Sequence, residues 1–305
     1  MQTINSISHF HRLLSLPDPL HPLVSVVHVE DIRPMKDVIW EGFFANFYSI
    51  SFKKNVKAKG KYGQGYYDFD RGVMCFTAPR QLQSHIILAD IPQQEIGAGY
   101  VLLLHPDFLL QNPLAHKIKG YGYFDYSVSE ALHLSAREEK DMQDLFCKIE
   151  QECEHIDTIT QEIVWSQIEL MLNYCNRFYQ RQFITRKLVN NTILKQLDQL
   201  LNDYFDKDKA IHNGLPVVAD LADQLKVSQR YLSDIARNLT GQNTQQLIHE
   251  KLIEKAKEKL SATNLSVSEI AYELGFEHSQ SFNKLFKDKT NTTPLEFRDF
   301  FNLES

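Results

Sequence analysis

The amino-acid sequence predicts an α+β chain: a β-rich N-terminal domain, a set of helices behind it, and an all-α C-terminal domain. Three observations carry that expectation. Short runs of β-branched and aromatic residues are confined to the first third, helical spacing takes over beyond Leu134, and one apolar pattern occurs twice after Pro216. A chain of 305 residues exceeds one typical domain of about 100 to 200 residues, so two domains with connecting helices are expected.

The hydrophobic fraction of 43% and charged fraction of 24% are those of an ordinary globular protein, which excludes a disordered, collagen-like or low-complexity chain. The formal net charge of -6 excludes a protein that holds a polyanion by its overall charge, so any nucleic-acid surface must be a local concentration of positive charge. Cys75, Cys147, Cys153 and Cys175 show neither CxxC spacing nor the density of a disulfide scaffold, in keeping with a reducing compartment. The start, MQTINSISHFHRLLSL, lacks a charged segment followed by a long apolar run. The best apolar run, residues 100–104, is far too short to span a bilayer, so a cytoplasmic protein is expected.

In chain order, residues 24–29, 45–52, 72–78 and 99–104 read as strands, separated by Pro, Gly or charged stretches such as 53–65. That spacing suits a β-sandwich or small barrel. The aromatic-rich stretch 40–52 fits the interior of such a barrel better than a ligand cavity, because aromatic residues at strand spacing are usually core. His9 and His11 flank Phe10, and on a strand both imidazoles would face one way, as in a metal site. No carboxylate or third histidine follows at suitable spacing, so neither metal nor cofactor is expected. Nucleophile elbow, phosphate loop and GxGxxG are all missing from the sequence, and an enzyme with catalytic residues is not expected.

Helices follow. Ser135 with Glu138 three residues on is a capping box that starts a polar helix reaching about Glu154. A second helix is expected over 160–182, with Ile163, Ile168, Leu172 and Cys175 among its apolar positions, and a third over 185–205. The stretch DKDKAIHNGLP has the charge, Gly and Pro of a linker, which divides the chain into 1–130, a helical region 131–205, and 206–305.

Beyond Pro216 the pattern VADLADQLKVSQRYLSDIAR returns as VSEIAYELGFEHSQSFNKLFK, with one extra residue in the turn. Leu221, Ala222, Leu225 and Val227 correspond to Ile270, Ala271, Leu274 and Phe276; Leu232, Ile235, Ala236 and Arg237 correspond to Phe282, Leu285, Phe286 and Lys287. A small residue, Ala222 or Ala271, lets two helices cross closely, Gly275 suits a left-handed turn, and Ser228 or Ser279 can cap the next helix. This is the spacing of a helix-turn-helix, with Phe276, Phe282 and Phe286 in the core. Between the copies, residues 244–263 carry Ile248, Leu252, Ala256 and Leu260 every four positions, an amphipathic helix about 27 to 30 Å long. Such a rod can hold two reading helices roughly 34 Å apart, the spacing of successive major grooves.

SEIAYELGF, SFNKLFK and the ending TTPLEFR resemble the signature of the AraC/XylS family of transcription regulators, over residues 215–301. The first copy departs from it, with Lys226 where glycine is usual and Ala236-Arg237 in place of phenylalanine-lysine; Asn291 stands where glycine is common. The resemblance implies reading helices at 228–239 and 279–289. Base-facing positions would be Arg230, Ser233 and Asp234 in the first, and Ser279, Gln280, Asn283 and Lys284 in the second. Arg237, Lys287 and Lys289 would hold phosphates. Arg or Lys pairs with guanine and Gln or Asn with adenine, whereas Asp234 can only accept from cytosine or repel a phosphate. It further implies a cupin-like N-terminal barrel that senses a small-molecule effector, helices over 131–205 that pair two chains into a homodimer, and partners in promoter DNA and RNA polymerase. Two other functions stay open: a sugar-binding or metal-dependent cupin enzyme with a helical appendage, and an interaction protein whose acidic balance and Lys226 leave it with weakened DNA binding.

Overall fold

A computed structural model describes residues 2–32, 43–54, 72–83, 97–127 and 130–303 of the chain. Two compact units, Met1–Thr185 and Arg186–Ser305, make it up. The first runs β1 (Gln2–Ile4), α1 (Ile7–Leu13), β2 (Val24–His28), β3 (Phe43–Ala45), β4 (Tyr48–Lys54), β5 (Val73–Thr77), β6 (Leu82–Gln83), β7 (Ala98–Leu104), α2 (Leu114–Lys117), β8 (Leu132–His133), α3 (Ala136–Glu154) and α4 (Thr160–Thr185). The four expected strands correspond to β2, β4, β5 and β7. Among the described residues the strands form a three-stranded sheet, β1-β3-β6, and a five-stranded sheet, β2-β7-β4-β5-β8, both open. In the larger sheet every neighbouring pair is antiparallel, with Ser51 of β4 opposite Cys75 of β5 on one side and Val101 of β7 on the other.

The central strands are buried in runs rather than by strict alternation, as in Leu102, Leu103 and Leu104 of β7. Phe43, Phe47, Ile50, Phe52, Met74, Leu102 and Leu104 are all buried, so the aromatic stretch 40–52 supplies packed core from Phe43 onward; its part before Phe43 lies outside the described residues, as does the stretch 53–65 beyond Lys54. The capping box forms, with the Glu138 N–H donating to Ser135 Oγ at 3.4 Å and the Ser135 N–H to Glu138 Oε2 at 2.7 Å. Helix α3 is tied to the sheet by the buried Glu139 carboxylate, which accepts from the Gly72 N–H at 2.7 Å and from Lys54 Nζ at 2.6 Å. Buried Gln182 of α4 accepts from the His133 N–H at 2.8 Å and donates to the Ala131 carbonyl at 3.1 Å, tying α4 to β8. A buried charge or amide is tolerated only when paired in this way.

His9 and His11 sit on α1, not on a strand, because Ser6 caps a helix by accepting from the His9 N–H at 3.2 Å. Two residues apart on a helix, the rings point to different sides. Buried His11 spends both nitrogens inside the fold, Nδ1 on the Pro17 carbonyl at 2.6 Å and Nε2 on Ser25 Oγ at 3.0 Å, and burial lowers its pKa below the ordinary imidazole value. No helix among the described residues is long and apolar enough to cross a membrane.

The second unit is entirely helical: α5 (Lys187–Asp206), α6 (Lys209–Asn213), α7 (Val218–Leu225), α8 (Gln229–Thr240), α9 (Thr244–Ala262), α10 (Val267–Glu273), α11 (Ser279–Thr290) and α12 (Pro294–Leu303). Its boundary precedes α5, some twenty residues ahead of the linker expected at Asp206. Packing explains the difference. Leu197 and Leu201 of α5 share a core with Leu221, Ala222, Leu232 and Ile248, while Phe205 of the same helix enters a second core with Leu252, Ala256, Ile270, Phe282 and Phe286. The supposed linker folds as well, since α6 buries Ala210 in the second core.

Turns in the two helix pairs differ in how they reach a left-handed backbone. Lys226 adopts φ +57 with a full side chain, and its N–H donates to the Asp223 carbonyl at 3.1 Å. Gly275 adopts φ +90, and a Cβ there would meet the Gly214 main-chain carbon and oxygen at 2.6 Å, so glycine is required twice over.

Two outcomes are expected. A fragment beginning at Ile211 lacks three buried side chains whose truncation costs on the order of 2 to 5 kcal/mol each; it should show no cooperative melt by circular dichroism, whereas one beginning at Arg186 should melt in a single transition. Equal melting temperatures would mean α5 is accessory to the fold. In urea titrations, Lys226→Gly should gain about 0.5 to 1 kcal/mol by relieving the left-handed side chain, and Gly275→Ala should lose about 2 to 3 kcal/mol.

Candidate nucleic-acid interface

Each helix pair has one side-chain-capped helix and a buried apolar floor, but the cap falls on the second helix of the first pair and on the first helix of the second. In the first, Ser228 caps α8 by accepting from the Tyr231 N–H at 3.2 Å, while Leu221, Ala222, Leu232 and Ile235 are buried beneath. In the second, Ser266 and Glu269 form a capping box at the start of α10, and those hydrogen bonds hold the Glu269 carboxyl below its usual value. Helix α11 is capped at His278 without a side-chain hydrogen bond; Ser279, expected as a cap, is its first helical residue. Phe276, Phe282 and Phe286 are buried, in an edge-to-face and tilted series of rings 5.5 and 5.8 Å apart.

Duplication extends past α8 and α11 into their ends. Thr240 Oγ1 donates to the Ala236 carbonyl at 2.8 Å, and Thr290 Oγ1 to the Phe286 carbonyl at 2.8 Å. A left-handed residue follows each, Gly241 at φ +80 and Asn291 at φ +61. A capping box then opens the next helix, Asn243 with Gln246 for α9 and Thr293 with Glu296 for α12. Thr240 and Thr290 did not stand out in the sequence pattern, although they stand in equivalent places of the two copies.

The ending TTPLEFR thus has a structural task. Thr293 and Pro294 start α12, Phe297 packs its ring 5.7 Å from Phe286, and Arg298 Nε donates to the Leu260 carbonyl at 3.2 Å, closing the C-terminal turn of α9. The apolar face of α9 supplies Ile248 to the first core and Leu252, Ala256 and Leu260 to the second. Three of its four lysines are committed along the side: Lys251 to Asp198 at 3.0 Å, Lys255 to Asp206 at 2.8 Å, and Lys259 to Glu273 at 2.6 Å. These cations belong to the scaffold.

Of the residues expected to face DNA, Gln280, Asn283, Lys284 and Lys287 lie exposed on α11, at successive helical spacing, with Ser279 half-buried at its start. Among the described residues, Gln280, Asn283 and Lys284 have no hydrogen bond or ion pair within the fold. Lys289 is exposed at the far end of α11, close enough to α9 that its charge, after burial, helps to lower the pKa of His249.

Helix α8 is arranged differently. Ser233 turns toward α9, where its Oγ donates to the buried Thr244 Oγ1 at 3.2 Å. Asp234 is bridged by two cations, Arg230 Nε on Oδ2 and Arg237 Nη1 on Oδ1, each at 3.2 Å. The geometry brings Arg230, Asp234 and Arg237 together as one charged strip and leaves Ser233 outside it.

Comparison with protein families matches residues 221–299 to a helix-turn-helix domain. Over 160 residues, 52% of this chain and 53% of that protein, the chain is 27% identical to the HTH-type transcriptional activator RhaS of Escherichia coli O1:K1 / APEC. It is 26% identical over 148 residues to the uncharacterized HTH-type transcriptional regulator YfiF of Bacillus subtilis, covering 44% of it. Against the xylose operon regulatory protein of Escherichia coli K12 it is 33% identical over 82 residues, 27% of this chain and 21% of that protein. The chain therefore spans about half or less of the curated relatives it matches. Among solved structures, the DNA-binding domain of AdpA in complex with a target DNA aligns with 37% of this chain and 94% of its own, at 20% identity and a TM-score of 0.32. The chain carries, over residues 221–299, a helix-turn-helix domain.

Proposed function

We propose that the chain is a sequence-specific DNA-binding transcription regulator that reads promoter DNA with α8 and α11, the second helix being at least an equal partner. The observation that carries this reading is the row Gln280, Asn283 and Lys284, exposed on one helix and uncommitted within the fold. Amides suit adenine and a lysine suits guanine, each good contact being worth about 1 to 3 kcal/mol of discrimination. Lys287 and Lys289 on the same helix, and Arg237 on α8, suit phosphates. Ser279, half-buried at the start of α11, is the least available of that set. Ser233 serves to seat α8 against α9 and is not a base reader in this scheme.

Helix α9 supports the pairing of the two units. At 19 residues it is about 28 Å long, in reach of the roughly 34 Å that separates successive major grooves. The N-terminal unit is assigned the regulatory part: a cupin-like barrel that binds a small-molecule effector, with α3 and α4 pairing two chains as a homodimer that engages RNA polymerase. Support for effector control comes from relatives whose names attach them to xylose and raffinose operons. An effector switches such a protein only by binding two conformations unequally.

The test is a titration of the full-length chain with promoter fragments at increasing salt. A DNA reader loses affinity steeply as phosphate contacts release counterions. Lys284→Ala should cost about 1 to 3 kcal/mol against a mapped operator and relax preference at one base. Lys287→Ala should weaken all sequences alike and lower the salt slope by about 1. Salt-independent or absent binding would instead favour an interaction protein.

A further inference from the structure

We propose that Asp234 is a specificity-determining positioning residue, which holds the Arg230 guanidinium so that its two terminal nitrogens are presented to O6 and N7 of a single guanine. The assignment rests on DNA binding by α8.

An acid on the reading face of a DNA-binding helix faces a polyanion, and by itself it could only accept from a cytosine amine or repel a phosphate. Neither role fits its surroundings. Both carboxylate oxygens are engaged, Oδ2 by Arg230 Nε and Oδ1 by Arg237 Nη1, each at 3.2 Å. The Asp234 side chain is only 15% exposed, against 44% for Arg230 and 53% for Arg237. What the helix offers to a groove is therefore the pair of guanidinium groups, with the carboxylate set beneath them.

The hydrogen bonds also decide which edge is offered. A guanidinium carries five N–H donors in a rigid planar fork. Arg230 spends its Nε inward, which leaves the edge formed by its two Nη atoms, an edge that can make the bidentate pair with guanine. Arg230 is the second residue of α8, in the turn from which recognition helices contact base edges. Arg237 lies two turns further on, better placed for a phosphate. Asp234 thus ties a base-reading arginine to a backbone-holding one. The benefit is entropic: a long, rotamer-rich side chain is held in its binding orientation before DNA arrives. An exposed ion pair of this kind adds little to folding stability, so its worth lies in orientation.

The experiment selects operators from a random DNA pool with the full-length wild-type chain. Affinities are then measured for all four bases at each selected position, for wild type, Asp234→Ala, Asp234→Asn, Arg230→Ala and the double variant Arg230→Ala/Asp234→Ala. Helical circular dichroism and melting temperature verify that each variant folds. Discrimination at one guanine, on the order of tenfold or more in the wild type, should fall below about threefold in Asp234→Ala, at the same position lost in Arg230→Ala. The double variant should lose no more than Arg230→Ala alone, and Asp234→Asn, which keeps one acceptor in place, should retain part of the preference. Affinity of Asp234→Ala for unrelated DNA should hold steady or rise, because a negative charge has gone. Preference intact at every base with uniformly raised affinity would overturn the assignment and leave Asp234 as a repelling charge. Loss at a base other than the one Arg230 reads would overturn it too. A wild-type chain that selects nothing would overturn the DNA-binding reading itself, and is told apart because no preference exists to be lost.

Discussion

The C-terminal unit depends on one packing constraint, the burial of the apolar stripe of α9 against two cores at once. Ile248 enters the first core, Leu252, Ala256 and Leu260 the second, and α5 runs beside it with Leu197, Leu201 and Phe205 divided in the same way. Each helix pair buries its apolar residues against this spine. Lys251, Lys255 and Lys259 of α9 gain acidic partners on α5 and α10, which ties the flank of the helix to both neighbours. Continuous packing of this kind joins the two helix pairs into one cooperative body.

The charge distribution of α8 and α11 follows from that arrangement. Net charge is -6, and many acids are occupied in pairing the scaffold lysines and in capping boxes. Exposed Lys284, Lys287 and Lys289 on α11 then form a local positive face on an acidic chain. On α8 the acid remains within the face, between two arginines. The two helices present different chemistry although they derive from one pattern: uncommitted amides and ammonium groups on one, a pre-assembled ionic strip on the other.

Much of this was legible in the sequence, wherever the signal was local. Ser135 with Glu138, Ser228, Gly275 and Asn291 each mark an element boundary by a hydrogen bond or backbone preference within a few residues, and the helices begin or end beside them. Signals that depend on distant partners were not. Residues 206–216 have a linker's composition, yet Ala210 is buried because α6 docks on α10, which no local pattern records. His9 and His11 fit a strand as well as a helix until Ser6 is seen to cap them. Ser233 and Asp234 were expected from the resemblance to face bases, but only the fold reveals that one faces Thr244 and the other lies between two guanidinium groups. Two open sheets among the described residues likewise depend on pairings far apart in the chain.

The contact between Gly275 and Gly214 sets a limit of another kind. The atoms that a side chain at position 275 would strike are a main-chain carbon and a carbonyl oxygen, which every residue type possesses. No exchange at position 214 could make room, because nothing there can be made smaller. Most crowded positions in a protein can drift over evolutionary time by paired substitutions, one side chain shrinking as its neighbour grows. This one has no such partner, so its glycine can be replaced only together with a shift of the backbone that leads into the first helix pair.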